Sequence, residues 1–410
     1  MKKKLRLIAI LTLLCLLLSQ TAGCAIPARA QELTDGLSRH MPKEISLDDT
    51  FYTGQMTFSL SLFQQVAKAD AKNVLLSPLS IALALGMTAN GANGETAQQM
   101  LNVLGGYSTE QLNAYLFSWC QEQTDAVKLA NSIWYQKSPS LTVYQEFLQT
   151  NVDFYNAQLY QDAFDEKTVA AINRWVDQNT DGLITRLLDR LDPSTRMILI
   201  NALTFDAKWA QAYEKHQLYD DRFYSADGTH STVPFMCSLE DCYLDDGKAT
   251  GFLRPYKDGR YSFGALLPKD GVELTDYIQS MTAQGWKETL QNRVDTQVTV
   301  HLPQFESEYA VELNDPLSAM GMPLAFGPPC DFTKMSNLDL YISRVLHKTY
   351  IRVDDKGTRA AAVTGVIEED WAGPALTEPQ VVKLDRPFVY FILDQTTNLP
   401  IFIGTVTHLS

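Results

Sequence analysis

The stretch "NVLLSPLSIALALGMTANGANGET", residues 73–96, predicts an α-helix that is buried on every side. Ser77 stands at an N-cap position, where its hydroxyl can accept a hydrogen bond from an otherwise unpaired backbone N–H. Pro78 follows at the first helical position, where its missing N–H removes no helical hydrogen bond. From there through Leu85 the residues are apolar nearly all round, and a helix without a polar face belongs in a large hydrophobic core.

Helical patterns flank this stretch, and strand patterns dominate the second half of the chain. Apolar residues at helical spacing predict a helix over residues 55–69, and "VAAINRWVDQNTDG" predicts another that ends at Gly182. Runs rich in β-branched and aromatic residues predict strands, and these runs cover residues 197–209, 260–270, 296–305, 340–353, 386–394 and 399–409. Helices followed by strands indicate an α+β fold with large, mainly antiparallel sheets.

The first 24 residues have the pattern of a secretory signal. Lys2, Lys3, Lys4 and Arg6 precede an apolar run of about twelve residues, which is short of the ~20 that span a bilayer. The small residues before Cys24 resemble the end of a bacterial lipoprotein signal, in which the cysteine carries lipid. We therefore expect an extracellular protein, either tethered to the outer face of the membrane through Cys24 or secreted after ordinary cleavage.

The mature chain is acidic and has no obvious internal boundary. Removal of the four basic signal residues lowers the formal charge from −14 to −18, which argues against nucleic acid as a partner. Residues 25–50 are polar and irregular and predict a tether. Residues 51–410 contain no glycine/serine linker and no repeat, so they form one large domain or two closely packed ones.

No catalytic or metal-binding constellation stands out. The chain lacks the common nucleophile, zinc and phosphate-loop motifs, and its six histidines never fall at metal-ligand spacing. Cys120, Cys237, Cys242 and Cys330 are irregularly spaced, so free cysteines are favoured, although Cys237 and Cys242 could pair. We expect no cofactor and no metal, and an unrecognised hydrolase has no positive support.

Six segments together, lying in family order, resemble the serpin family of protease inhibitors. They are residues 73–96, 129–136, 173–184, 201–209, 340–364 and 386–406, and they span essentially all of 51–410. The resemblance implies one serpin domain with three β-sheets, eight to nine helices and an exposed reactive-centre loop at about 354–380. It also implies that the protein is not an enzyme and acts as a monomer.

The loop segment "DDKGTRAAAVTGVIEEDWAGPALTEP", residues 354–379, fits neither a helical nor a strand pattern. In serpins this segment is bait for a protease and enters the main sheet as a new strand once it is cut, which is a known example of strand addition. The resemblance therefore implies a suicide-substrate inhibitor that holds its target serine protease in a covalent acyl complex.

Counting along the loop predicts the scissile bond. The family places its hinge glycine fifteen residues before the cut, and with Gly357 at that position the cut falls between Trp371 and Ala372. The loop is about five residues longer than in typical members, so Leu376 and Thr377 are the second choice. A tryptophan before the cut suits chymotrypsin-like or subtilisin-like proteases. Elastase-like proteases are the third class of target to be tested.

Alternation along an inserted strand predicts which loop residues face inward. The inward set contains only small or β-branched residues: Thr358, Ala360, Ala362, Thr364 and Val366. Thr358 is the first of them, so its entry should gate the movement. Glu368 and Asp370 would also face inward near the far end, where an unpaired carboxylate is costly. The small residues favour inhibition; the alternative is a non-inhibitory serpin that acts as a binding or storage protein.

The resemblance also assigns two groups of residues that support the movement. Ser77, Ser80, Asn201 and His347 match the family's shutter, whose polar groups beneath the main sheet change hydrogen bonds when it opens. Trp209 matches the breach, where the loop enters the sheet. Taken singly, Ser77 could be an ordinary cap, His347 a satisfied core histidine, and Trp209 a core aromatic.

Overall fold

The structure is a computed structural model that describes residues 30–70, 72–358 and 380–410. Nine α-helices occur in these residues: α1 Asp49–Ala69, α2 Pro78–Ala89, α3 Gly94–Val103, α4 Thr109–Gln121, α5 Gln145–Tyr155, α6 Glu166–Asn179, α7 Leu274–Ser280, α8 Ala283–Gln291 and α9 Asn314–Ala319.

Seventeen strands lie in the same residues, and most are in the second half of the chain. They are β1 Gln31–Glu32, β2 Leu75–Leu76, β3 Val127–Gln136, β4 Ala157–Asp162, β5 Met197–Phe205, β6 Ala207–Lys208, β7 Leu218–Tyr224, β8 His230–Asp245, β9 Ala249–Pro255, β10 Tyr261–Pro268, β11 Val294–Pro303, β12 Phe305–Glu312, β13 Leu346–Asp354, β14 Gly357–Thr358, β15 Gln380–Lys383, β16 Phe388–Asp394 and β17 Leu399–Val406.

The described strands form three sheets. The first has the order β1-β4-β3-β5, the second β12-β13-β14-β6, and the third β15-β11-β8-β9-β10-β16-β17-β2 with β7 paired to β8. Only the pairs β3/β4 and β11/β15 are parallel in this part of the chain. The predicted α+β architecture, with three sheets and eight to nine helices, is confirmed.

Helix α2 is the buried helix that the opening stretch predicts. The Ser77 hydroxyl accepts a hydrogen bond from the backbone N–H of Ser80 at 3.4 Å, and Pro78 occupies the first turn. The helix runs four residues beyond Leu85 and packs against both β5 and β17, which belong to different sheets. An all-round apolar surface is needed at this place because both sides of the helix are covered.

Local pattern missed several strands, of which β3, β4, β7, β8, β9 and β12 are the longest, and it extended another too far. β3 and β4 lie among the helices, and β3 has no clean alternation because the polar side chains of Asn131 and Ser132 are buried along with its apolar residues. The predicted strand over 340–353 begins only at Leu346, since residues 340–345 do not pair with a neighbouring strand. Helix α6 ends at Asn179, three residues before the predicted stop at Gly182.

The segment predicted as a tether, residues 25–50, contacts the domain over its described part. β1 pairs with the edge strand β4, and the backbone N–H of Leu33 donates to the Leu159 carbonyl at 2.8 Å. Further along, the N–H of Ile45 donates to Ser118 Oγ at 2.8 Å. An edge strand leaves backbone groups unpaired, and this segment pairs some of them.

The four described cysteines outside the signal, Cys120, Cys237, Cys242 and Cys330, are unpaired. Cys237 and Cys242 lie on the same strand, β8. The pairing that the sequence left open does not occur.

Gly404 in β17 offers a test of how tightly the core strands pack. A Cβ at this position would lie 2.4 Å from the Val74 carbonyl oxygen, and a backbone atom cannot move aside as a flexible side chain can. We expect Gly404→Ala to lower the free energy of unfolding by about 1–3 kcal/mol, measured by urea titration. Gly327→Ala is the matched control, because a Cβ there meets no atom within 4 Å. Equal urea midpoints for the two variants would contradict the packing described.

Candidate functional site

The main feature of the molecule is a cleft between β5 and β13. β5 pairs with β3 on its other side, and β13 pairs with β12 on its other side. The facing edges share no hydrogen-bonded pair in the described residues, and a cleft of about 1010 Å³ separates them. Helix α2 and residues 187–188, 190–196 and 338–345 also line it. Two adjacent unpaired strand edges are a template for one more strand.

One end of the cleft is closed by β14. Thr358 pairs with Val353 of β13 on one side and with Ala207 of β6 on the other, both antiparallel. β6 follows β5 after the single residue Asp206, so this end bridges the two sheets. A Cβ on Gly357 would lie 2.2 Å from the Ala207 carbonyl oxygen, which explains why the neighbouring position is a glycine.

Thr358 therefore already lies in the sheet of the uncut chain. It is 1% exposed, and its hydroxyl is 2.5 Å from the hydroxyl of Tyr256, which is also buried. The expectation that Thr358 gates entry after cleavage is wrong for this conformation, because its side chain is inside before any cut. The next residue of the inward set is Ala360.

Trp209, the predicted breach residue, lies directly beside β14. Its indole N–H donates to the Asp354 carbonyl at 2.8 Å, and its backbone N–H donates to the Lys356 carbonyl at 3.1 Å. The ring stacks on Tyr256 with centroids 4.8 Å apart and planes at 7°. Trp209 thus holds the turn that leads from β13 into β14, and it does so with both a side-chain and a backbone bond.

Beneath Trp209 lies a buried ion pair that sequence reasoning missed. Arg254 and Glu240 form a charge-assisted hydrogen bond, and their side chains are 6% and 7% exposed. The guanidinium also lies 4.0 Å from the ring centroid of Tyr213 and 5.0 Å from that of Trp209. Burial raises the pKa of the Glu240 carboxyl, and the Arg254 charge opposes that shift. Glu240 stands in the acidic run "SLEDC", which resembles a solvated surface, so no local signal marked it.

The four predicted shutter residues all line the cleft but form two separate groups. The backbone N–H of Ser77 donates to His347 Nε2 at 3.0 Å, so the neutral imidazole carries its proton on Nδ1. Burial lowers the pKa of His347 to about 3. Ser80 lies one turn along α2 and also lines the cleft.

Asn201 belongs to the other side of the cleft. Its Nδ2 donates to Asn131 Oδ1 at 2.8 Å, and Asn131 in turn donates to the Tyr155 carbonyl at 2.7 Å. Asn201 Oδ1 is buried and has no hydrogen-bond partner among the residues that the structure describes. No hydrogen bond joins Asn201 to His347 in this part of the chain, so the cleft divides the predicted shutter.

The remaining predicted site residues lie outside the described residues. They are Cys24, Ala360, Ala362, Thr364, the bond Trp371–Ala372 and the second choice Leu376–Thr377. Within the described ranges, no group of three or more His, Cys, Asp or Glu side chains could hold a metal ion. No described helix has the length and apolar character to cross a membrane.

Comparisons with known proteins agree on one family. The family model described as "Serpin (serine protease inhibitor)" matches residues 53–409. Human neuroserpin is 30% identical over 85% of this chain and 90% of its own, and an uncharacterized serpin-like protein of Thermococcus kodakarensis is 32% identical over 85% and 83%. The crystal structure of a thermophilic serpin, tengpin, in the native state is 40% identical and covers 93% of this chain and 100% of its own, with a TM-score of 0.87.

The buried His347 predicts a dependence of stability on pH. Its pKa is about 6.5 in an unfolded chain and about 3 in the fold, so below pH 6.5 the unfolded state binds a proton that the folded state does not. The stability that the neutral His347 contributes is fully present above pH 6.5 and is lost as the pH falls below that value. Between pH 6 and 5 the free energy of unfolding should fall by about 1 kcal/mol more in the parent than in His347→Gln.

The measurement is a series of urea titrations at pH 5, 6 and 7. His216→Gln is the control, because the His216 side chain is 76% exposed and should leave the pH dependence unchanged. Parallel pH profiles for the parent and His347→Gln would show that His347 is not held neutral by the fold.

Proposed function

Because this chain belongs to the serpin family, whose members are generally serine protease inhibitors, we propose that it is a suicide-substrate inhibitor of serine proteases. One observation carries the proposal: β5 and β13 line one cleft and share no hydrogen-bonded pair among the described residues, and the segment at one end of it, β14, leads directly into residues 359–379. A cut in those residues would free them to continue along the cleft.

The register of β14 indicates where each loop residue would lie. In antiparallel pairing, each step forward along one strand is a step backward along its neighbour. Thr358 lies opposite Val353 and Ala207, so Thr364, six residues later, would lie opposite His347 and Asn201. The loop would thus join the two halves of the shutter.

The Thr364 hydroxyl suits this position. It would lie on the same face as Thr358, which points into the core, and it could donate a hydrogen bond to the unpaired Asn201 Oδ1. A buried acceptor without a partner costs free energy, so its pairing would contribute to the stability of the inserted state. The small side chains of Ala360 and Ala362 would fit between β5 and β13 without clashes.

Insertion would trap the protease physically. The serine of the protease attacks the scissile carbonyl and forms an acyl-enzyme. In this acyl-enzyme the protease is covalently bound to the residue before the cut. An inserted strand of about fifteen residues spans on the order of 50 Å and would carry the protease along it. Hydrolysis requires an aligned triad and oxyanion hole, and about 1 Å of misplacement can cost ~100-fold in rate. The inhibitor supplies no catalytic group of its own.

The target is proposed from the loop sequence. Trp371 before the predicted cut suits deep apolar pockets, as in chymotrypsin-like and subtilisin-like proteases, and elastase-like enzymes accept the second choice, Leu376. Mixing the protein with one enzyme of each class should give detergent-stable complexes with at least one. The mass of the released peptide would distinguish a C-terminal fragment that begins at Ala372 from one that begins at Thr377.

The alternative function is a non-inhibitory serpin that acts as a binding or storage protein. The same cleft would then be present, but the cut loop would release an active protease. Stable covalent complexes separate the two functions, because cleavage alone occurs in both.

The proposal places the inhibitor outside the cell, anchored by lipid on Cys24. It rests on the apolar run that ends in Ala22, Gly23 and Cys24. In a bacterial host, Cys24→Ala should abolish labelling by a palmitate analogue and release the protein into the medium or leave it unprocessed. Unchanged membrane retention and processing would exclude lipidation.

A substitution at Thr364 tests whether loop insertion is what holds the protease in the covalent complex. A Thr364→Arg substitution would force a guanidinium into the space between Asn201 and His347, and each ~1.4 kcal/mol added to the insertion barrier slows that step about tenfold. Deacylation by the protease is unaffected, so the variant should be cut at the same bond yet release active protease. The measurement is the number of inhibitor molecules consumed per protease inactivated, which should rise several-fold.

Thr364 is a better position for this test than Thr358. The Thr358 side chain is buried in the uncut protein, so a substitution there would perturb the uncut fold as well. Arg359→Gln is the control, since alternation places residue 359 on the opposite face from Thr358. If Thr364→Arg traps protease as efficiently as the parent, insertion in this register does not occur.

A further inference from the structure

The turn between β13 and β14 is held by one short segment, residues 209–213, which we call the clamp segment. Three successive carbonyls of the turn accept hydrogen bonds from it. The Asp354 carbonyl accepts from the Trp209 indole N–H at 2.8 Å, and the Lys356 carbonyl accepts from the Trp209 backbone N–H at 3.1 Å. The Asp355 carbonyl accepts from the Tyr213 backbone N–H at 3.1 Å. The place of the turn therefore depends on the place of the clamp segment.

The clamp segment has little regular structure of its own. Trp209 forms an isolated bridge with Tyr256, and the residues after it belong to no described helix or strand. The side chains of Trp209 and Tyr213 are buried, whereas residues 210–212 between them are exposed. A segment with few strand hydrogen bonds opens locally at low free energy, so its buried side chains have to hold it in place.

Arg254 contacts the clamp segment at its start, its middle and its end. The guanidinium lies over the rings of Trp209 and Tyr213, as described above, and its Nη2 donates to the Gln211 carbonyl. A planar guanidinium can stack on aromatic rings while its N–H groups donate within its plane. Because the three contacts come from one side chain, the position of Arg254 fixes the whole segment.

Glu240 fixes Arg254 in turn. Arg254 Nη1 donates to the Glu240 carboxylate, and the two side chains project from the neighbouring strands β9 and β8. A buried ion pair gains little stability over apolar side chains of similar size, so stability alone does not account for two charges at this place. The guanidinium that the pair holds is what the clamp segment contacts.

A second series of contacts leads from Arg254 to the first buried side chain of β14. The Trp209 ring, on which the guanidinium lies, stacks on Tyr256. The Tyr256 hydroxyl is hydrogen-bonded to the Thr358 hydroxyl, and both residues are buried. Arg254 thus supports β14 in two ways, through the backbone of the preceding turn and through the side chain of Thr358.

We propose that Arg254 is a positioning residue: held by Glu240, its guanidinium fixes the clamp segment against the turn at 354–356 and so keeps β14 docked in one register in the uncut chain. This effect on the uncut chain does not depend on the proposed function. Its consequence for trapping rests on that function. Insertion that starts from a docked β14 needs no new strand nucleus, so loss of Arg254 should slow insertion relative to deacylation.

The experiment measures hydrogen exchange by mass spectrometry in the uncut, full-length protein. In Arg254→Met, peptides that cover 209–213 and 354–358 should exchange about tenfold faster than in the parent, because a stacking cation and a hydrogen bond are lost. Arg254→Lys serves if Arg254→Met does not fold. It keeps a positive charge beside Glu240 but has no planar group to stack on the rings, so exchange should again be faster.

Two further variants separate position from stability. The double variant Glu240→Leu/Arg254→Met leaves no buried charge unpaired, so its urea midpoint should return toward that of the parent while exchange at 354–358 stays fast. Arg260→Met is the matched control. It breaks another arginine–carboxylate pair, with Asp394 at 2.7 Å, and no hydrogen bond joins Arg260 to the clamp segment in the described ranges. It should lower the urea midpoint and leave exchange at 354–358 unchanged.

The outcomes separate this inference from the proposed function. Slow exchange at 354–358 in the double variant would overturn it, because the pair would then serve stability alone. Equally fast exchange in Arg260→Met would overturn it too, since exchange would report only global stability. Fast exchange in the Arg254 variants alone supports the positioning role, even if the parent traps no protease and the proposed function fails.

The consequence for trapping has its own measurement. With a protease that the parent traps, Arg254→Met should consume several-fold more inhibitor molecules per protease inactivated, and Arg260→Met should not. An unchanged number in a variant whose 354–358 peptides exchange fast would exclude a role of docked β14 in insertion, while the trapping function itself would hold.

Discussion

Two strand edges that face each other without hydrogen bonds are the constraint on which the rest of this structure depends. Backbone N–H and C=O groups in a protein interior need partners, and among the described residues β5 and β13 leave theirs unpaired across the cleft. Under the proposed mechanism, a further strand that fills this gap would pair these groups and lower the free energy of the fold. That difference would be the free energy that loop insertion releases.

The end of the cleft at Trp209 would give the proposed insertion a direction. β14 sets the register before any cut, since Gly357 fits only where a Cβ is absent and Thr358 is fixed by Tyr256. The stacked aromatic rings and the Arg254–Glu240 pair hold this end together. Insertion would therefore begin from an existing pair of residues and extend in one register, which avoids the cost of nucleating a new strand. The same register would lead an inserting strand to the predicted shutter residues.

The chemistry along the cleft changes from one end to the other. The middle is buried and neutral, because His347 is held uncharged and Asn201 offers an acceptor without a partner. The far end is more exposed and contains charged side chains. The loop sequence follows the same order, with small residues first, then Thr364, then an acidic cluster. This agreement between a cleft and a segment distant from it links the sequence to the proposed mechanism.

The sequence by itself determined the features that depend on local pattern or on an ordered set of motifs. The cap at Ser77, the buried helix α2, the late antiparallel strands and the family resemblance were all predicted, and the structure and comparisons confirmed them. Only the tertiary structure showed that Thr358 is already inside the sheet, that residues 30–48 lie on the domain, and that Glu240 is buried with Arg254. These depend on contacts between residues far apart in the chain, and neither periodicity nor composition encodes which distant edge or charge a residue will meet.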